Sequence, residues 1–166
     1  IDADQAGEVI IMEDCNNIII SDVTITGGNG GINLNNSNPT LTHITITENT
    51  ATVGGGMYLV NSNPIISNTT IMFNSASKGA GIYLLYSDPI VNNVIITNNN
   101  AYGSNFNDSG FGGGIYGLYS NLNIFDSNII DNVANLEGGG IYLEYSDSTS
   151  LVNVNITNNI ADEPYN

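Results

Sequence analysis

Residues 56–80 read GMYLVNSNPIISNTTIMFNSASKGA. Three short apolar runs stand out, Gly56-Met57-Tyr58-Leu59, Pro64-Ile65-Ile66 and Thr69-Thr70-Ile71, with Asn, Ser and Gly between them. Alternation at period two, bounded by turn residues, predicts short β-strands. No 3.6-residue period runs through the stretch, and its Asn, Gly and β-branched residues disfavour helix.

The same template, roughly G-I-Y-L-x-x-S-x-P-x-I-x-N-x-x-I-x-x-N-x-A-x-x-G-G, fits residues 31–55, 56–80, 81–113, 114–139 and 140–166. A weaker copy occupies residues 8–30, and the fourth copy carries an inserted loop at 101–111. A repeat of about 25 residues with three short strands per unit predicts an all-β fold, a right-handed parallel β-helix of about six coils. A meander or sandwich needs antiparallel turn pairs, such as an Asn-Gly recurring in register, and none recurs. Residues 1–166 thus read as a single β-helix domain. The chain begins at Ile1 without a signal peptide, and neither end carries a clear capping element. The expectation is a segment of a longer chain, or copies that meet through uncapped coil ends.

Stacked coils turn repeated residues into columns. Ile46, Ile71, Ile96, Ile129 and Ile156 align, as do Ile32, Met57, Ile82, Ile115 and Ile141, with Leu34, Leu59, Leu84 and Leu143 beside them. These are the expected core, each buried aliphatic side chain contributing about 1.5–3 kcal/mol. Asn49, Asn74, Asn99, Asn132 and Asn159 form a ladder in which each amide can donate to one neighbouring coil and accept from the other. Ser37, Ser62, Ser87, Ser120 and Ser146 mark a tight bend.

Charge limits the partners. The 166 residues include 16 acids and one base, Lys78, for a formal net charge of −15. Such a chain repels phosphate, which makes anionic membrane surfaces poor partners, and no nucleic-acid partner is expected. No apolar run approaches the ~20 residues of a spanning helix, so membrane insertion is not expected. Charged residues are 10% and hydrophobic residues 41%, a balance that argues against disorder. The polar surface is therefore uncharged, and 29 residues are Asn. Cys15 stands alone, which rules out an intrachain disulfide and a Cys-based zinc cluster. One lysine and many asparagines point to an extracellular or cell-surface location.

With the Gly-Gly-(Gly/Ala)-Ile-Tyr and Ile-x-x-Asn elements set out, the chain resembles right-handed β-helix repeat proteins of the pectin-lyase-like superfamily. Its repeats are similar to those of chlamydial polymorphic outer-membrane proteins and of large secreted bacterial surface proteins. The resemblance implies the fold across nearly the whole chain. For function it implies little, because the matched residues build the solenoid. Pectate-lyase-like enzymes use a calcium-binding carboxylate cluster and usually an arginine base, and this chain has no arginine. The motifs of polygalacturonase-like enzymes, clustered Asp residues with a His and a basic pair, are not present either.

The residues themselves offer few catalytic groups. His43 aligns with Asp22, Asn68, Asn93, Asp126 and Asn153, so it reads as one member of a polar turn ladder. Asp88 and Asp147 read as sharing a column, with Asn121 between them. The candidate pair for glycoside hydrolysis is Asp108 in the inserted loop with Glu137 one coil on. Asn105, Asn107 and Asp108 are candidate oxygen ligands for Ca²⁺ on a spacing that matches no known loop motif, and no other cofactor is expected. Thr24/Thr26 and Thr45/Thr47 suggest an ice-binding array, but Thr70/Met72, Ile95/Thr97 and Asn128/Ile130 break it.

The strongest surface signal is aromatic. Tyr58, Tyr83, Tyr116 and Tyr142 take the outward position between inward Ile and Leu, with Leu85 and Leu118 two places on. Tyr86, Tyr119 and Tyr145 thicken the same region. The stripe is expected either to stiffen its sheet or to contact a partner protein, a polysaccharide or another copy. The favoured expectation is a non-enzymatic structural or adhesive β-helix, and a carbohydrate-active module is the alternative.

Overall fold

A computed structural model describes residues 1–103 and 109–162. The chain winds as six coils, and every strand pairs in parallel with its counterpart one coil away. The first sheet takes one strand per coil: Ile10–Glu13, Ile32–Asn35, Met57–Val60, Ile82–Leu85, Ile115–Leu118 and Ile141–Glu144. A ten-stranded second sheet follows the first bend, and a narrow third sheet joins Ser75–Ala76, Asn100–Ala101, Val133–Ala134 and Ile160–Ala161.

The strands differ from expectation in one respect. The second and third apolar runs of a coil belong to one sheet, and in coils three and four they fuse into Ile65–Met72 and Ile90–Thr97. In the last four coils the third strand is instead the Asn-x-Ala segment, whose alanines Ala76, Ala101 and Ala134 are buried against Ala80. A two-residue strand has no alternation to read, so periodicity could not find it.

The apolar columns fall into the predicted register. Ile25, Ile46, Ile71, Ile96, Ile129 and Ile156 pair in series, as do Ile10, Ile32, Met57, Ile82, Ile115 and Ile141. From Ile25 to Ile129 the first column is completely buried. The leucine column is interrupted by Gly117, where a Cβ would lie 2.7 Å from Leu143 Cδ2. In the last described coil Leu151 and Ile156 are each 43% exposed.

Corners are made by single residues in the left-handed region. Asp14, Asn36 and Asn61 turn the chain after the first sheet, with φ near +50°. Asp22, His43, Asn68, Asn93, Asp126 and Asn153 do so within the second sheet. Asn and Asp tolerate this conformation because their short polar side chains bond locally. His43 is therefore a corner residue, exposed, with Nδ1 3.0 Å from the Thr42 hydroxyl.

Two polar ladders close the interior. Nδ2 of Asn49, Asn74, Asn99 and Asn132 donates to Oδ1 of the next Asn at 2.9–3.1 Å. The same nitrogens also donate back to the carbonyls of Ile25, Ile46, Ile71 and Ile96 in the preceding coil. In the serine column, the amides of Ser37, Ser62 and Ser87 donate to the hydroxyl one coil on. Cys15 holds the first place in that column, and its Sγ donates to the Glu13 carbonyl as the serines donate two residues back. Among the described residues no buried side-chain polar atom lacks a partner.

Replacing Asn74 by Ala removes, in a dry interior, the acceptor that serves both the Asn49 N–H and Asn49 Nδ2. At about 1–3 kcal/mol per orphaned group, Asn74→Ala is expected to lower the unfolding free energy by about 3 kcal/mol or more. Exposed Asn92→Ala should stay within about 0.5 kcal/mol. Chemical denaturation of both variants checks the contrast.

Candidate functional site

Polar ladders repeat around the solenoid, but one flank departs from them. On the outer face of the first sheet, Ile11, Asn33, Tyr58, Tyr83, Tyr116 and Tyr142 form one column. Glu13, Asn35, Val60, Leu85, Leu118 and Glu144 form the next. The corner column beside them runs Asp14, Asn36, Asn61, Tyr86, Tyr119 and Tyr145. The flank is thus mostly polar in the first two coils and rich in aromatic and apolar groups in the last four.

The first tyrosine column is a stack. Ring centroids lie 5.4 Å apart for Tyr58–Tyr83, 5.0 Å for Tyr83–Tyr116 and 5.3 Å for Tyr116–Tyr142. The last two pairs are within 11° of parallel. Parallel rings at this spacing cover one another's faces, so the interior of the column presents ring edges to solvent, and a sugar ring has no free face there to lie on. Tyr116 goes further: it is only 4% exposed, packed between its neighbours with Lys78 Nζ 5.7 Å from its ring centroid. Tyr58, Tyr83, Tyr142, Leu85 and Leu118 are half-buried.

Sequence reasoning does not place Lys78, Phe111 or Glu144 on this flank. Lys78, Phe111 and Glu137 are consecutive rungs of one column. Lys78 Nζ lies 5.7 Å over the Phe111 ring, and Phe111 packs at 5.1 Å against Tyr142. The chain's single base therefore sits against aromatic rings beside the loop, a cation–π arrangement. Glu144 is the third, since its Oε2 accepts from the Tyr116 hydroxyl at 3.3 Å. The signal was present in the repeat: Ser77-Lys78-Gly79, Gly110-Phe111-Gly112 and Leu136-Glu137-Gly138 align at one corner.

The corner tyrosines, an addition to the stripe in sequence terms, are its most accessible part. Tyr86, Tyr119 and Tyr145 are 55%, 45% and 65% exposed. Each holds φ between +50° and +53°. A bulky residue in the left-handed region costs about 1–2 kcal/mol. Stacking offsets this, with Tyr86–Tyr119 at 5.1 Å and Tyr119–Tyr145 at 4.8 Å.

The carboxylates are dispersed. Asn121 N donates to Asp88 Oδ1, and the next rung, donating to Asn121 Oδ1, is Ser148 and not Asp147. One extra residue between Ser146 and Ser148 pushes Asp147 out of register, so the expected Asp88–Asp147 column does not form. Asp108, Asn105 and Asn107 lie outside the described residues, while Glu137 is exposed and next to Tyr142. Among the described residues no three His, Cys, Asp or Glu side chains converge. The Thr24/Thr26 and Thr45/Thr47 pairs stand in register, and the third rung is Thr70/Met72.

Burial pushes the Tyr116 phenol above the ordinary tyrosine range, and Glu144 and Tyr83 push the same way. Tyr142 is also raised, by burial and by Glu137 and Glu144. A folded-state value above the unfolded one contributes stability that is fully present below about pH 10 and is lost as pH rises past it. Alkaline unfolding is therefore expected to steepen above about pH 10, with a shallower slope in Tyr116→Phe. Stability measured from pH 8 to 12 checks this, and equal slopes in the two proteins would contradict it.

No match was found among curated proteins or among solved structures. The family model described as right handed beta helix region matches residues 3–111, which include the first three coils and most of the fourth. With parallel coils in register along the described chain, this protein belongs to the right-handed β-helix family.

Proposed function

We propose that this chain is a rigid, non-enzymatic scaffold of an extracellular or cell-surface protein, making contact through its tyrosine flank. One observation carries the reading: tyrosines fill one outward column in the last four coils and the corner column in the last three, on either side of Val60, Leu85 and Leu118. Elsewhere those columns hold mostly polar residues that serve the solenoid. Loops that break a regular repeat are where partners are usually met.

The charge supports an uncharged or cationic partner, because −15 repels anionic polymers. Within that class a neutral polysaccharide is the second reading. It is favoured by the regular spacing of phenol rings along the coil axis, which would offer hydroxyls at a repeating interval. Binding would then run through ring edges and hydroxyls and not through ring faces. Self-contact of the same flank is a third occupant of the same class of surface.

The test replaces Tyr86, Tyr119 and Tyr145 together by Asn, the residue that Asn36 and Asn61 place at this corner. The fold should survive, while retention on neutral glycans, on cell surfaces or on immobilised wild-type chain should weaken at least ten-fold. Unchanged retention in the triple variant would overturn the reading. So would release of reducing ends from a polysaccharide that Glu137→Gln abolishes, since the chain would then be an enzyme.

A further inference from the structure

We infer that Tyr86, Tyr119 and Tyr145 form a site of oxidative cross-linking, at which a haem peroxidase with hydrogen peroxide joins adjacent rings as dityrosine within one chain. Four observations meet there. The rings of Tyr86 and Tyr119 lie 5.1 Å apart and 8° from parallel, and those of Tyr119 and Tyr145 lie 4.8 Å apart and 10° from parallel. All three are exposed, so an external oxidant reaches their edges, whereas Tyr116 at 4% exposure is shielded. Their corner favours Asn or Asp in backbone terms, and Asp14, Asn36 and Asn61 supply these in the earlier coils. What the position gains from tyrosine is therefore the side chain. Finally, the strands on which they ride are locked in register, which keeps each ring over its neighbour.

The chemistry balances. Each of two phenols gives up one electron and one proton to the oxidant, leaving a phenoxyl radical with spin on the carbons ortho to oxygen. Two neighbouring radicals couple through those carbons, forming one C–C bond. The two ortho hydrogens then move to oxygen and restore both phenols. One hydrogen peroxide is reduced to two waters for each link formed. The new bond lies in the plane of both rings, so the stacked rings must turn from face-to-face towards edge-to-edge, a rotation about χ1 and χ2 that exposed side chains can make.

The link would tie coils that the inserted loop separates in sequence. Tyr86 and Tyr119 are 33 positions apart, and closing such a loop in the unfolded chain is the means by which a disulfide stabilises a fold. With Cys15 as its only cysteine, this chain cannot form an intrachain disulfide. The cross-link does not depend on what else the flank contacts.

The experiment treats dilute purified chain with a haem peroxidase and hydrogen peroxide, then follows dityrosine fluorescence and the mass of the monomer. The expected product is monomeric, lighter by two hydrogens per link, with cleavage at acidic residues locating Tyr119 joined to Tyr86 or Tyr145. Tyr119→Phe keeps the stack but cannot form the phenoxyl radical, so monomeric yield should fall at least ten-fold. Tyr102→Phe, which removes an exposed tyrosine outside both stacks, should leave the yield unchanged. Equal yield in Tyr119→Phe, links found only between molecules, or links confined to Tyr58, Tyr83, Tyr116 and Tyr142 would each overturn the assignment.

Discussion

A buried asparagine amide has to be satisfied on every side, and the rest of this solenoid depends on how that is done. Asn74 Nδ2 reaches forward to Asn99 Oδ1 and back to the Ile46 carbonyl, and its Oδ1 accepts from Asn49. No other side chain of this size offers two donors and an acceptor in that plane. The geometry works only when successive coils stand in register. A one-residue slip would strand buried amides and turn the isoleucine column outward. Register, apolar burial and polar satisfaction are thus one constraint, which is why the repeat survives an insertion in the fourth coil.

Around that interior the corners have some freedom. Each turn requires a residue in the left-handed region, which Asn, Asp and Gly meet at little cost. Phe73, Glu48 and the three corner tyrosines do not, and they hold φ between +50° and +57° all the same. For the tyrosines the stack supplies compensation. Local backbone cost exchanged for an exposed aromatic ladder is the feature that separates this flank from the polar corners elsewhere, and it is the reason the functional reading centres there.

Much of this was legible in the sequence, for a physical reason. A solenoid repeats its environment at every coil, so residues in one column reveal one another, and the Ile, Asn and Ser ladders follow from alignment alone. The fusion of Ile65–Met72 was hidden because a left-handed Asn68 bends a strand without ending it. Asp147 was misplaced because one extra residue shifts register without altering the pattern around it. Burial of Tyr116 depends on Lys78 and Glu144, which come from other coils and share no motif with it. Alignment gives the column but not the packing above it.

The central claim is that in-register amide ladders hold the coils together, and native-state hydrogen exchange of the ladder amides tests it most directly. The backbone N–H groups of Asn49, Asn74 and Asn99 donate to the next Asn Oδ1 and are buried. They are predicted to exchange only through global unfolding, with protection equal to that of the Ile46, Ile71 and Ile96 amides. Exchange of these Asn amides at the rate of exposed corner residues, while the isoleucine amides stay protected, would contradict the account.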